Sequence, residues 1–139
     1  MSNITASTAL RDFIANRLTS TGGCYMWSTL HSSNAAISAS TVYASSGLNE
    51  LTTANGYTAG GASCGTITNS SGSLDTPDVV WTTTAGQTLT AACCCTWINN
   101  TNNIVGASLV CLNDGSQTGS NGGTLTSQMV NPIVIPTPA

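Results

Sequence analysis

The sequence predicts a mainly β chain: an antiparallel β-sandwich or barrel-like domain with one short N-terminal helix. Two observations carry this. After Gly23, short runs rich in Thr, Val, Ile, Trp and Tyr are separated by Gly, Asn, Ser and Asp, the punctuation of small antiparallel sheets. Before it, Leu10, Phe13, Ile14 and Leu18 recur at helical spacing, with Arg11, Asp12 and Arg17 on the other side.

Taken in order, the helix has capping hydroxyls in the stretch from Thr5 to Thr8 and a stop at Gly22 and Gly23. Its apolar stripe must pack on something, either its own domain or a neighbouring subunit. The chain therefore divides into an N-terminal helical arm (1–23), a β domain (24–130) and a Pro-rich C-terminal arm (131–139). A first strand is expected over 24–30, then a looser stretch over 40–50. Further strands are expected over 62–68, 78–83, 89–98, 104–112 and 124–130, with a continuation at 133–135. Pro132, Pro136 and Pro138 make that last piece an edge or an extended arm, because proline cannot donate to a central ladder.

Two strands are apolar on nearly both faces. Along 89–98, Leu89, Ala91, Cys93, Cys95 and Trp97 alternate with Thr90, Ala92, Cys94, Thr96 and Ile98. Along 104–112, Ile104, Val110 and Leu112 lie opposite Val105, Leu109 and Cys111. The polar NNTNN between the strands has the length of a hairpin connection, which places this hairpin at the centre of a sheet. The SGS at Gly72 and the DGSQTGSNGG run around Gly119 read as further turns.

Charge is the outlier in composition. Ordinary domains carry about a quarter of their residues as Asp, Glu, Lys or Arg, whereas this chain carries 5%, for a net charge of −3. Thr, Ser, Asn and Gly stand in their place. These groups hydrate well, yet they are cheaper to desolvate than ions. Charged residues are also the ones that the centre of a protein–protein interface lacks. Two arginines and no lysine cannot neutralise enough phosphates to hold a nucleic acid. No stretch approaches the ~20 apolar residues of a membrane span. The segment MSNITASTALRDFIANRL shows no basic region followed by an apolar run, so synthesis in a reducing cytoplasm is expected.

The six cysteines, Cys24, Cys64, Cys93, Cys94, Cys95 and Cys111, lack both the spacing of a disulfide framework and a C-x-x-C pair. With one histidine beside them, they do not form a zinc ligand set. Buried free thiols acting as small hydrophobes are expected.

Catalytic groups are sparse. His31 is the one candidate base for a nucleophilic triad, and in LHSSNAA it reads as a solvent-facing or capping residue. Asp75 and Asp78 could be a carboxylate pair, but around Thr76 and Pro77 they read as turn residues that bind local backbone N–H groups. Asp114 in NDGS is another turn residue, short of the ligands that calcium needs. Tyr25, Trp27, Tyr43, Tyr57, Trp81 and Trp97 have no basic groove beside them for stacking single-stranded nucleic acid, and read as core anchors. Gly56, Gly60 and Gly61 are followed by no helix, which argues against a phosphate-cradling loop. No enzyme activity and no cofactor or metal is expected.

An ordered series of features nevertheless resembles a known group. Asn49, Glu50 and Leu51 precede a Gly-Tyr-Thr-Ala-Gly-Gly run at 56–61, and an aspartate-containing strand at 78–82 ends in Trp-Thr. A small-residue strand at 89–97 ends in an aromatic, a hydrophobic strand follows at 104–112, and a Gly-Gly-Thr-Leu-Thr strand closes the series at 122–126. This series, over about two thirds of the chain, resembles the small β-rich virion structural proteins of tailed bacteriophages. The cysteine triplet departs from that group, where larger apolar or aromatic residues are usual.

The resemblance implies a capsid cement or decoration protein, or a head–tail accessory protein, without catalytic residues. The expected partners are the major capsid protein and copies of the chain itself, as a trimer or other small homo-oligomer, on the capsid surface of the virion. Leu10, Phe13, Ile14, Arg17, Ile133 and Ile135 are the expected interface residues. The alternatives are a minor tail, neck or fibre protein and, from another class, a host-surface glycan-binding module around Trp27, Tyr57 or Trp81.

Overall fold

A computed structural model describes residues 24–38, 40–44, 47–70, 73–127 and 133–134. The expected N-terminal helix, with Leu10, Phe13, Ile14 and Arg17, lies outside the described residues, as does Ile135. Among the described residues the chain is mainly β, and every strand pairing is antiparallel.

The strands are β1 (Tyr25–His31), β2 (Ala62–Ser63), β3 (Thr68–Ser70), β4 (Ser73–Asp75), β5 (Val79–Thr82) and β6 (Thr88–Ala91). They continue with β7 (Cys93–Asn99), β8 (Ser108–Asn113), β9 (Gln117–Ser120), β10 (Thr124–Ser127) and β11 (Ile133–Val134). A central sheet has the order β2-β1-β7-β8. Beside it stand two ribbons, β10-β5 and β6-β9, and a small sheet β11-β4-β3.

The central pair β1–β7 is held in register from Tyr25↔Asn99 to His31↔Cys93. Cross-strand partners share a face. Trp27, Thr29 and His31 therefore lie beside Trp97, Cys95 and Cys93, while Met26, Ser28 and Leu30 lie beside Ile98, Thr96 and Cys94. Both faces are covered. On one, Cys93, Cys95 and Trp97 pack with Ile37, Tyr43, Leu48 and Ala107, all from loops and turns. On the other, Met26, Leu30 and Cys94 pack with Tyr57, Val79, Trp81, Leu89 and Leu125, mostly from the ribbons. The cysteine triplet sits in a strand enclosed on both sides, where a thiol fills space that a larger side chain would overfill.

Several expected boundaries move. The run 89–98 is two strands, broken at Ala92, whose N–H donates to the His31 carbonyl (2.8 Å). The break lets the chain leave β9, the partner of β6, and join β1 and β8. A continuous strand could not serve both sheets. Residues 104–107 form a tight turn rather than strand: Ala107 N–H donates to the Ile104 carbonyl (2.9 Å) and Gly106 has φ 85°. Of the expected central hairpin, β7 is central, whereas β8 is an edge whose side chains are half-buried or exposed. The run 62–68 divides into β2 and the start of β3.

The glycine-rich run around Gly119 contains β9, and its turn is confined to Asn121 and Gly122, both at positive φ. Gly119 is a packing glycine: a Cβ there would lie 2.6 Å from Thr83 Oγ1 and 2.7 Å from Leu125 Cδ1. Ile133 pairs with Leu74 at the outer edge of the small sheet, the edge position that its flanking prolines require.

Candidate functional site

A connected set of polar side chains gathers where residues 48–61 cross the outer edge of β1. The segment is shaped locally. Asn55 and Gly56, both at positive φ, turn the chain between Ala54 and Tyr57, whose N–H and C=O groups bond each other. Asn-Gly favours this tight turn because both residues tolerate left-handed backbone. A Cβ on Gly56 would lie 2.1 Å from the Thr82 carbonyl oxygen, and one on Gly61 would lie 2.0 Å from that of Ser28. These glycines press the segment onto β5 and β1, a packing role rather than a phosphate cradle.

Glu50 is the hub. Its Oε2 accepts from the Tyr43 hydroxyl (2.5 Å), and its Oε1 accepts from the Tyr57 hydroxyl (2.6 Å) and from Gly60 N–H (2.7 Å). Tyr57 oxygen in turn accepts from Leu30 N–H (3.2 Å), on the outer edge of β1. Tyr43 belongs to the loop-side core and Tyr57 to the ribbon-side core, so one carboxylate fastens both. Burial, reinforced by the Glu50 hydrogen bonds, pushes both phenols above the usual tyrosine range.

His31 corrects the sequence expectation. It is the last residue of β1 and is 0% exposed, neither solvent-facing nor a cap. Its Nδ1 lies 2.9 Å from the Leu48 carbonyl oxygen, and its Nε2 lies 2.7 Å from Thr29 Oγ1. Trp97 Nε1, which can only donate, also bonds Thr29 Oγ1 (2.7 Å). The donors then run one way: Trp97 N–H to Thr29 oxygen, Thr29 hydroxyl to Nε2, and Nδ1–H to Leu48. The Leu48 carbonyl requires the proton on Nδ1, and this one-way run is that of the neutral imidazole. Burial holds the His31 pKa below its ordinary value, against the opposing pull of the Leu48 carbonyl and of Glu50.

The thiols form no comparable reactive set. Cys94 Sγ–H donates to Ser127 Oγ (2.9 Å), which also accepts from Ser28 (2.8 Å). Burial pushes the Cys64 thiol up to about 12 and raises Cys93, Cys94 and Cys95 as well. All six cysteines are free, with Cys111 exposed, and no metal-binding group of His, Cys, Asp or Glu occurs among the described residues.

The remaining sequence candidates fall apart in space or turn inward. Asp75 Oδ1 accepts from Thr76 N–H (2.9 Å), the local turn role expected of it. Asp78 and Asp114 are exposed. Trp27, Tyr57 and Trp81 are buried, so none offers an open ring face to a sugar. A shallow depression of about 280 Å³ between Leu51, Ala54, Asn55, Thr88 and Thr90 contains no titratable side chain.

The sequence reading took His31 as a solvent-facing or capping residue and gave Glu50 no role of its own, so both hydrogen-bond networks were missed. The signal for Glu50 was its isolation as the one acid in an uncharged glycine- and tyrosine-bearing stretch. For His31 no local signal existed, because its burial depends on residues that follow it by 17 positions and more. Comparisons with protein-family models, curated proteins and solved structures give no match.

Proposed function

We propose that this chain is a non-catalytic structural component of a tailed-phage particle, a cement protein that binds the outside of the assembled shell and bridges neighbouring capsomers. The observation that carries the reading is its surface. The described residues include Glu50, Asp75, Asp78 and Asp114 but no Lys or Arg. Glu50 is committed to internal hydrogen bonds. Val42, Val80 and Val105 are more than half exposed. Such a surface costs less to desolvate than a charged one when neighbours cover it.

The architecture is read as sandwich-like, with the β2-β1-β7-β8 sheet as one layer and the β10-β5 and β6-β9 ribbons facing it. Met26, Leu30 and Cys94 packing against Val79, Trp81, Leu89 and Leu125 supports that reading. As a cement, a trimer or other small homo-oligomer would attach at several junctions, so modest individual contacts would multiply. Binding only the assembled shell would stabilise it by mass action.

The charge-poor surface gives the reading a distinctive test. Purified chain is mixed with particles lacking it and sedimented at increasing salt. The bound fraction is expected to change less than about twofold across a range that abolishes ionic attachment. Steep loss of binding with salt, or no binding, contradicts the proposal.

A further inference from the structure

We propose that His31 is an acid-sensitive release for residues 48–61, freeing that segment from the outer edge of β1 while the β1–β7–β8 sheet stays paired. The proposal rests on how the segment is fastened. Three of its ties cluster at this end of β1: His31 Nδ1 to the Leu48 carbonyl (2.9 Å), Ser32 N–H to the Asn49 carbonyl (2.8 Å), and Leu51 N–H to the Leu30 carbonyl (2.9 Å).

A second proton on the imidazole lands on Nε2, which faces Thr29 Oγ1 at 2.7 Å. That oxygen already accepts the Trp97 N–H. It could accept the new proton only by turning its own hydroxyl hydrogen away, into a fully buried site without the acceptor it had. Stranding a buried donor carries its full desolvation cost, and the imidazolium must also be held away from water.

The titratable groups around His31 do not relieve this. From β7, Cys93 lies directly opposite it and Cys95 is next on the same face; burial keeps both thiols protonated. Tyr43, from the 40–44 stretch, and Tyr57 are held neutral by burial and by Glu50. Asp114, beyond β8, acts on Cys93. Glu50 favours the imidazolium, but burial outweighs it. Its carboxylate is already held by Tyr43, Tyr57 and Gly60, so it can turn to His31 only by dropping one of them. That exchange itself loosens the segment.

The sign follows. Native His31 takes up a proton less readily than a free histidine, so the attachment is fully present above the ordinary histidine pKa of about 6.5 and is lost as pH falls below it. The segment gives way before the sheet does. Thr52, Thr53 and Ala54 are exposed, whereas β1 and β7 are paired along seven residues.

His31 is the one histidine in the chain, so its imidazole signal in NMR needs no assignment by mutation. Between about pH 7.5 and pH 5, Ser32, Leu51 and Gly60 amides are expected to exchange at least about tenfold faster after correction for intrinsic chemistry. The amides of Cys93–Asn99 are expected to change by less than about twofold, and the segment's loss of protection should begin near the ordinary histidine pKa and level off where the native imidazole titrates. His31→Asn keeps a donor for Leu48 without titrating, and should flatten the acid response.

Three results would each overturn the proposal: segment amides indifferent to pH, segment and sheet losing protection together, or an acid response that survives in His31→Asn. If that variant does not fold, the wild-type exchange pattern and the imidazole titration decide alone.

Discussion

The two faces of the β1–β7 pair are built by different means. The ribbon side is closed by strands: Val79, Trp81, Leu89 and Leu125 come from β5, β6 and β10. The loop side is closed mainly by irregular chain, with Ile37, Tyr43, Leu48 and Ala107 set around Trp97. Strand ribbons satisfy their own backbone, so the ribbon-side bonds of Ser28 and Cys94 to Ser127 serve side chains alone. Irregular chain does not satisfy its own backbone, and a buried polar group without a partner is costly. The loop side accordingly carries the Trp97–Thr29–His31–Leu48 relay. The ribbon-side network of Ser28, Cys94 and Ser127 joins side chains to one another, whereas the loop-side relay ends on a backbone carbonyl of irregular chain.

The largest effect should come from opening either core. Trp97→Ala is expected to destabilise the chain by about 3–5 kcal/mol, and Leu125→Ala by about 2–5 kcal/mol, through lost burial and the cavity left behind. The two should nevertheless differ. Trp97→Ala also removes the donor that orients Thr29, so the loss of protection should spread into residues 48–61. Leu125→Ala should leave that segment's relative protection unchanged. Urea unfolding with amide exchange separates them, and identical exchange patterns would erase the distinction between the two faces.

A smaller change tests the join between them. Glu50→Gln removes the charge from the hydrogen bonds of Tyr43 and Tyr57 and supplies one acceptor where there were two. A loss of about 1–3 kcal/mol is expected. Tyr43→Phe and Tyr57→Phe should be energetically coupled in the wild type and additive in the Glu50→Gln background. Additivity in both would mean that the carboxylate does not tie the two cores together.

What was legible in the sequence follows the same division. Regular strands announced themselves: β1, β5, β7 and β10 lie within or next to the expected runs, because alternation and β-branched residues are local signals. Cys93, Cys94 and Cys95 were readable as small core residues from their apolar run alone. The break at Ala92 was not readable, since no Gly or Pro marks it and its cause is a change of partner strand. Gly119 looked like a turn because its real constraint, the closeness of Thr83 and Leu125, is tertiary. His31 was misplaced for the same reason. The polar SSN after it suggested solvent, and only the return of Leu48 and Glu50 to the edge of β1 buries it. The residues expected to carry the interface, apart from the backbone pairing of Ile133, lie outside the described residues.

We propose that the charge-poor surface of this chain covers a capsid shell. The most direct test is the copy number per purified particle, measured by quantitative mass spectrometry against the major capsid protein. Copies comparable in number to the shell subunit are the predicted result. A handful per particle would instead place the chain at the neck or tail, and its complete absence from particles would contradict the account.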